Sequence, residues 1–302
     1  SPDPWGFCDG TASADALASA LANGLDCSDS SDPVYTAVGV GSNGFPGYSA
    51  DYTGTYERDS YAVYADISGD ITDKLFAQAA VRYEDYSDFG SELVYKIAGI
   101  FQVTDEIAIR SSFGTGFRAP TPGQQGTTNV STRLPNGFPV ATGLFPANSA
   151  TAQALGASPL DPETSTNFTL GATADVGNFT LTVDYYRILL EDRVNAISTL
   201  DVSATEVTDP DADGYDAYQR YLALDAAGVE GANTIGGVFY FQNAFDTVTQ
   251  GIDIVGTYNF ESEYGDTTIT ASMNFADQNF NSDPQVYFNN EAIYDFLNGT
   301  PA

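Results

Sequence analysis

The sequence predicts an all-β fold, an antiparallel, up-and-down transmembrane β-barrel segment of about eight strands with long extracellular loops. Eight stretches alternate apolar with polar residues at a period of two, the pattern of strands with one apolar and one polar face. The connections between these stretches are alternately short and long. No run of about 18 apolar residues is present, so the sequence contains no transmembrane-helix candidate.

The eight alternating stretches form four hairpins, and each hairpin is closed by a short turn. Thr72-Asp73, Thr104-Asp105 and Gly177-Asn178 close the first three hairpins, and residues 261–266 supply a slightly longer fourth turn. Each stretch is about as long as a tilted bilayer crossing requires. The stretches cover residues 61–71, 75–84, 93–103, 107–118, 167–175, 179–186, 251–258 and 268–275.

The links between hairpins show the asymmetry that favours a membrane barrel. Two of them are long, at residues 119–162 and 191–245, and the link at 85–90 is a short exception. Bacterial outer-membrane barrels have short periplasmic turns and long extracellular loops. A soluble β-sandwich is the main alternative, but sandwich strands are usually nearer five or six residues long.

The two faces of the predicted strands have different chemistry. Ile97, Val81 and Leu181 belong to the apolar face, which we expect to contact lipid, and the polar face would line a wet lumen. A second sheet packed on these three residues in a water-soluble body would contradict this assignment. Aromatic residues at the membrane interface suit the predicted girdle. That girdle comprises Tyr61, Tyr83, Tyr95, Tyr185 and Tyr258.

The predicted organisation has three parts. Residues 1–57 form an extracellular loop region, residues 58–278 hold the strands with loops 119–162 and 191–245, and residues 279–302 form another extracellular loop. Cys8 and Cys27 lie close together in the first part, so we predict a local disulfide and an oxidising compartment. Two unrelated free thiols are the alternative.

Charge and composition exclude several functions. The chain has 41 Asp and Glu against 10 Lys and Arg, no His, and a formal net charge of -31. Such a surface repels phosphate backbones, so we expect no nucleic-acid partner. The acidity suits either solubility in salty surroundings or attraction of cations. Without His there is no Ser-His or Cys-His dyad, and we expect no enzyme.

Three segments resemble one protein family. Residues 112–122 contain the string Gly116-Phe117-Arg118-Ala119-Pro120, which is similar to a GFRAP segment in the barrels of TonB-dependent outer-membrane receptors. Residues 160–167, with Glu163 and Asn167, resemble the family's lead into a strand, and residues 243–253, with Gly251 and Asp253, resemble a third segment. Their order is the family order, and the resemblance covers roughly residues 58–278.

The resemblance implies a function for the parent protein. Such a receptor sits in the outer membrane with its loops outside and contacts outer-membrane lipid. It binds a scarce small molecule or glycan, such as a ferric siderophore, a glycan or a vitamin. Import uses inner-membrane energy that the TonB protein delivers through a plug domain. The sequence shows no plug, TonB box or terminal aromatic strand, so we expect a portion of a longer receptor. A passive porin or an adhesive surface β protein is the alternative.

The loops contain a candidate calcium site. Asp209, Asp211 and Asp213 alternate before Gly214, which resembles the first half of a calcium-binding loop. The twelfth position, where an EF-hand has Glu, is Arg220. Calcium is therefore a candidate ligand, and a solvated acidic turn is the alternative.

The loops also hold candidate ligand-binding aromatics and two short predicted helices. The helices are predicted over residues 216–227, with Gly228 as the cap, and over residues 14–23. Exposed aromatic rings can stack on sugars or planar chelates, whereas packing between loops is the alternative. The candidate ligand-binding residues are Tyr215, Tyr218, Tyr240, Phe138 and Phe145.

Overall fold

The computed structural model describes most of the chain between residues 57 and 282. The described residues are 57–133, 140–229, 231–263 and 265–282, with the short pieces 14, 18, 21, 41–42, 45–46, 55, 285–288 and 291–295. Eight long strands form one antiparallel sheet, here called the main sheet. They are β3 (Ser60–Thr72), β4 (Leu75–Tyr86), β5 (Gly90–Gln102), β6 (Ile107–Arg118), β9 (Glu163–Val176), β10 (Phe179–Ala196), β13 (Phe241–Ser262) and β14 (Gly265–Phe280).

The remaining strands are short. β1 (Gly41–Ser42) pairs with β2 (Phe45–Pro46), and β15 (Gln285–Phe288) pairs with β16 (Glu291–Asp295). Four further strands are β7 (Asn129–Arg133), β8 (Val140–Leu144), β11 (Leu200–Asp201) and β12 (Ile235–Phe239). These four form a separate sheet with the order β11-β12-β8-β7.

The main sheet has the predicted up-and-down topology. Its order is β14-β13-β10-β9-β6-β5-β4-β3, so each strand pairs with the next long strand along the chain. The pairing of Val176 with Phe179 leaves a two-residue turn between β9 and β10, where Gly177 has a φ of 62°. Only glycine adopts this left-handed conformation without a steric cost. The predicted Gly177-Asn178 turn is thereby confirmed.

The structure corrects the predicted bounds of one loop. β6 ends at Arg118 and β9 begins at Glu163, so the connection 119–162 has the predicted extent. β10, however, continues to Ala196 and β13 already begins at Phe241, so the second long connection covers 197–240 instead of 191–245. A register shift between Leu190 and Arg193 explains the error, because it interrupts the alternation that marks a strand in the sequence.

The outward face of the main sheet is apolar and open. Ile67, on the edge strand β3, is 75% exposed, and Ile97, on β5 between two neighbouring strands, is 61% exposed. Val81 is exposed as well, Leu181 is half-buried, and neither belongs to the buried core of the described chain. The second sheet that would have contradicted the face assignment is therefore not found over these residues.

The buried core lies in the two long connections. We call their described residues, within 119–162 and 197–240, the cap. The cap contains the four-stranded sheet, helices α1 (Pro122–Gly126), α2 (Ala150–Gln153) and α3 (Tyr215–Ala226), and a 3₁₀ turn (Ala232–Thr234). Every residue of the buried apolar core among the described residues lies in these two connections. The core comprises Val130, Ala141, Phe145, Ala147, Ala152, Leu155, Ala157, Leu160, Ile197, Leu200, Val202, Leu224, Ala232, Ile235, Val238 and Tyr240.

A parallel strand pair joins the two connections. β8 comes from the first connection and β12 from the second, and they pair in parallel from Ile235 opposite Ala141 to Phe239 opposite Leu144. Phe145 continues the contact, since its backbone N–H donates to the carbonyl of Phe239 at 2.9 Å. The two connections therefore fold as one unit around a shared core.

The cap helices are short and have recognisable ends. α1 starts with a capping box in which Thr121 and Gln124 exchange hydrogen bonds. α3 starts after Gly214 and ends before Gly228, whose φ of 71° suits a helix cap. The predicted helix at 216–227 is confirmed within one residue, whereas most of the helix predicted at 14–23 lies outside the described residues. Over the described residues no helix is long and apolar enough to cross a membrane.

Candidate functional site

The three segments that resemble one family meet where the main sheet joins the cap. β6 ends with Arg118, directly opposite Glu163 at the start of β9. The Arg118 guanidinium and the Glu163 carboxylate form an ion pair with Nη2 and Oε1 2.5 Å apart. The same carboxylate oxygen accepts the backbone N–H of Val194 on β10 at 2.8 Å. Glu163 therefore ties three neighbouring strands together at the cap.

Asn243 supplies a second tie at the same junction. Its side-chain oxygen accepts the backbone N–H of Asp161 at 2.9 Å, and its amide donates to the Asp161 carbonyl at 2.9 Å. The same amide donates to the Asp192 carbonyl at 2.7 Å. Asp192 has a φ of 55°, which is costly for a residue other than glycine, and its N–H is held by Asp246 at 2.9 Å. These bonds fix the second and third family-like segments to the end of β10.

Pro120, at the start of the first cap connection, contributes to the same junction. It is fully buried, and its carbonyl accepts a hydrogen bond from Arg58, which also forms an ion pair with Asp88. Phe117 lies three residues earlier and stacks edge-on against Tyr86, with ring centroids 5.9 Å apart. The GFRAP-like segment therefore ends its strand and anchors the first cap connection.

Gly116 and Asn167 lie on the polar face just below this junction. Gly116 is opposite Ser165, and a Cβ on Gly116 would lie 2.8 Å from the Ser165 hydroxyl oxygen. Asn167 donates to that hydroxyl at 3.1 Å. Ser165 therefore occupies the space that a side chain at position 116 would need.

A polar row crosses the inner face of the main sheet. Arg110 on β6 reaches over Gly171 on β9 to Asp184 on β10, with bonds of 2.8 Å from Nε and 2.5 Å from Nη2. A Cβ on Gly171 would overlap the Asp184 carboxylate. The glycine therefore leaves the space through which the two charges meet.

The row continues on the next two strands. Asp253 lies opposite Asp184 and accepts the side-chain amide of Asn274 at 2.6 Å. That amide is also 3.2 Å from the hydroxyl oxygen of Tyr186, and a Cβ on Gly251 would press on the same hydroxyl at 2.5 Å. The sequence alone does not indicate that Arg110 pairs with Asp184, because 74 residues separate them.

The predicted ligand-binding aromatics occupy different environments. Phe145 and Tyr240 belong to the cap core, and the Tyr240 hydroxyl donates to the carbonyl of Leu155 at 2.8 Å. Both therefore serve packing between loops, the alternative interpretation, and offer no free surface to a ligand. Tyr215 and Tyr218 are half-buried on α3. Phe138 lies outside the described residues.

Tyr240 has a charged neighbour in the cap. Burial raises the pKa of Tyr240, and the nearby Arg220 acts in the opposite direction. Burial also lowers the pKa of Arg220, whose Nη1 donates to the carbonyl of Asp201 at 3.1 Å. Neutral Tyr240 is thus the form that this interior favours.

The predicted calcium turn is held by hydrogen bonds between its own residues. Asp209 accepts the backbone N–H of Asp211 through its carboxylate at 3.1 Å, and its carbonyl accepts the N–H of Ala212. Over the described residues no three acidic or Cys side chains, Asp213 included, are grouped to hold a metal. Calcium binding stays a prediction. The Cys8–Cys27 disulfide also stays a prediction, since both residues lie outside the described part.

The fold belongs to the class of up-and-down antiparallel β-sheets that have one apolar and one polar face. A folded cap, built from the two long connections, lies at one end of the strands. The chain belongs to the TonB dependent receptor-like β-barrel family, which it matches over residues 9–301.

Individual proteins resemble parts of the chain. It is 35% identical over 77 residues to the vitamin B12 transporter BtuB of Photobacterium profundum, a match that covers 24% of this chain and 12% of that protein. The siderophore receptor PirA of Acinetobacter baumannii aligns with 76% of this chain and 29% of its own, at 15% identity and a TM-score of 0.47. PirA of Pseudomonas aeruginosa aligns with 74% of this chain and 41% of its own, at 14% identity and the same TM-score. The chain thus spans less than half the length of each of these three proteins.

Proposed function

We propose that this chain forms part of the barrel wall and outer cap of an outer-membrane receptor that imports a scarce nutrient. The nutrient would be a ferric siderophore, a glycan or a vitamin, and the energy would reach the receptor from the TonB protein through a plug domain. Family membership and the vitamin B12 transporter among the relatives support this proposal. A passive porin is the competing function.

The observation that carries the proposal is the exposed apolar face of the main sheet. Ile67, Ile97 and Met273 are each more than half exposed and lie on strands at both ends and in the middle of the sheet. Contiguous exposed apolar surface of this kind is rare in water-soluble monomers. In a bilayer the same side chains contact hydrocarbon without cost, while the inner row of charges stays in a wet lumen.

Aromatic side chains pair with one another at several levels of this face. Tyr61 and Tyr83 lie 6.3 Å apart between ring centroids, Tyr95 and Phe113 6.1 Å, and Phe168 and Tyr185 6.4 Å. Tyr61 and Tyr83 lie near the cap end of β3 and β4, whereas Phe113 pairs directly with Ile97 and Tyr185 lies nearer to the turn end of β10. Aromatic rings prefer the interface between hydrocarbon and headgroups. We therefore place the outer membrane interface near Tyr61 and Tyr83 and the cap outside the cell.

The main sheet also has two edges among the described strands, β3 and β14. Unpaired strand edges are not tolerated in lipid, because each exposed backbone group would lose its hydrogen bond. Further strands would therefore have to close the barrel in the membrane.

Membrane placement can be tested by fluorescence quenching. Single cysteines at positions 97 and 98 of the receptor containing this barrel, in a background with Cys8 and Cys27 replaced by Ser, would carry a small fluorophore in lipid vesicles. We expect lipids with a quencher on the acyl chain to quench the label at 97, and aqueous iodide to quench the label at 98. Equal access of iodide to both labels would contradict the proposal.

Energy-coupled import needs a separate experiment. Cells that express the receptor containing this barrel should take up labelled ferric siderophore, vitamin B12 or oligosaccharide only when TonB is present. Uptake that is equal with and without TonB, together with open-channel conductance in planar bilayers, would favour the passive porin.

A further inference from the structure

The two faces of the cap sheet differ in character. One row of directly paired residues, Leu200, Val238, Gly143 and Val130, belongs to or adjoins the buried core. The neighbouring row consists of Asp201, Gly237, Thr142 and Ser131. Successive residues of a strand point to opposite faces, so this second row faces away from the core. The cap sheet therefore presents a polar face that the core does not use.

A cavity of about 380 Å³ lies on this polar face. Ligand pockets of proteins begin at about this size. Charged and hydroxyl groups from three strands and one loop residue surround the cavity. It is lined by Arg133, Val140, Thr142, Thr199, Asp201 and Gly236.

Two glycines of β12 shape the cavity floor. A Cβ on Gly237 would lie 2.6 Å from a methyl carbon of Thr199 and 3.0 Å from that of Thr142. A Cβ on Gly236 would overlap the side chain of Val140. The missing side chains therefore allow Thr199 and Thr142 to approach each other over the strand.

The polar groups at the cavity are available for a ligand. Over the described residues, neither the Arg133 guanidinium nor the Asp201 carboxylate takes part in an ion pair or a side-chain hydrogen bond. The hydroxyls of Thr142 and Thr199 likewise donate no hydrogen bond within that part of the chain. Arg220 donates through Nη1 to the backbone carbonyl of Asp201, and its charge also attracts the Asp201 carboxylate, which accepts no hydrogen bond within the described part of the chain.

We propose that this cavity binds one uncharged sugar or polyol unit through neighbouring hydroxyl groups. Each hydroxyl of such a ligand both donates and accepts, which suits a carboxylate acceptor, a guanidinium donor and two threonine hydroxyls in one cavity. Asp201 repels an anion and attracts a cation, and Arg133 does the reverse, so the cavity favours neither sign of net charge on a ligand. The inference rests on the proposed function, in which the cap faces the outside and meets nutrients first.

Binding can be measured by saturation-transfer NMR on the receptor containing this barrel. The protein would be held in micelles of an amine-oxide detergent, because glycoside detergents would themselves supply sugar headgroups. Glucose, galactose, mannose and glycerol serve as probes, with glycine as a zwitterion and inorganic phosphate as an anion. We expect at least one sugar to bind at millimolar concentration, and glycine and phosphate to show no transfer.

Substitutions then locate the binding. Asp201→Asn and Arg133→Gln should each weaken sugar binding about tenfold or more, because each removes one charged partner of the hydroxyls. Asp225→Asn changes an exposed charge of the same cap on α3 and should leave binding unchanged. Circular dichroism and hydrogen exchange of the cap would verify that all three variants fold.

Several outcomes would overturn the inference. The first is that no sugar shows transfer at millimolar concentration. The second is that Asp201→Asn and Arg133→Gln bind sugar as well as the unsubstituted protein does. The third is that glycine or phosphate binds and the sugars do not. Failure here with the lipid-quenching pattern intact would remove only the sugar site. Failure of the quenching pattern with sugar binding retained would remove the membrane placement.

Discussion

The main sheet and the cap both contain β-strands, but apolar side chains are exposed on the main sheet and buried in the cap. Ile67 and Ile97 of the main sheet are mostly exposed, whereas Leu200 and Val238 of the cap sheet are almost completely buried. The cap thus supplies its own apolar partners, mostly from the two connections. The apolar face of the main sheet has no such partner over the described residues, which is why we infer that it contacts lipid.

The two regions also use charge differently. Over the described residues, all four ion pairs lie on the main sheet or at its junction with the cap. The cap contains Arg220, which is buried and hydrogen-bonded to a carbonyl. Charged groups thus connect strands on the wet face of the main sheet, while apolar packing connects the loops of the cap. Substitutions should therefore have opposite consequences in the two regions.

The largest effect is expected in the cap core. Tyr240 is completely buried, and Tyr240→Ala should destabilise the cap by roughly 3–5 kcal/mol through the cavity it leaves. The substitution also removes the donor to the Leu155 carbonyl. Hydrogen exchange of the cap, followed by mass spectrometry, would measure the loss. Tyr240→Phe keeps the ring and should cost only about 1 kcal/mol. Unchanged exchange in Tyr240→Ala would contradict the assignment of this residue to a stable core.

A charge on the outward face of the main sheet should have the next largest effect. Ile97→Arg should destabilise the protein in lipid vesicles by roughly 2–4 kcal/mol if the residue lies near the midplane. Ala98→Arg is the matched control, since residue 98 points to the opposite, wet face. Reversible urea unfolding in vesicles would compare the two. Equal losses would contradict the assignment of the faces.

The main sheet was predictable because each strand carries its own signal. Alternation, as in the stretch around Ile97, is local in sequence, and the short turns at Thr72-Asp73 and Gly177-Asn178 are local as well. Strand order then follows from hairpin connections without further information. The end of β10 was missed because the register shift near Arg193 breaks the alternation.

The cap and its contacts were much less predictable. The pairing of β8 with β12 is parallel and joins two separate connections, and no local pattern specifies such a contact. Tyr240 and Phe145 resemble exposed loop aromatics in the sequence, and only the folded cap shows that they are buried. Glu163 and Asn243 were recognised through family resemblance, but their role as ties between strands required the structure.

Two glycines of the main sheet, one crowded and one with open space around it, can be compared directly. Gly171→Ala places a Cβ where the Asp184 carboxylate lies, so the Arg110–Asp184 pair must shift. We expect a loss of about 1–3 kcal/mol, as for other overpacked sites. Gly69→Ala is the control, because no atom lies within 4 Å of the position that its new Cβ would take. Thermal unfolding of both variants would measure the difference. Equal stability would show that the space above Gly171, which the Asp184 carboxylate occupies, does not matter for stability.

The smallest effect is expected at the junction between the two regions. Glu163→Gln keeps an acceptor for Arg118 and for the N–H of Val194 but removes the negative charge. Hydrogen bonds to charged groups are stronger than neutral ones by about 1 kcal/mol, and we expect a loss of that size. Glu261→Gln, at an exposed position near the β13–β14 turn, should change stability by less. Urea unfolding midpoints of the two variants test this. If they shifted equally, the ion pair would not be a specific tie between main sheet and cap, and these two regions would be joined mainly by the backbone and by Asn243.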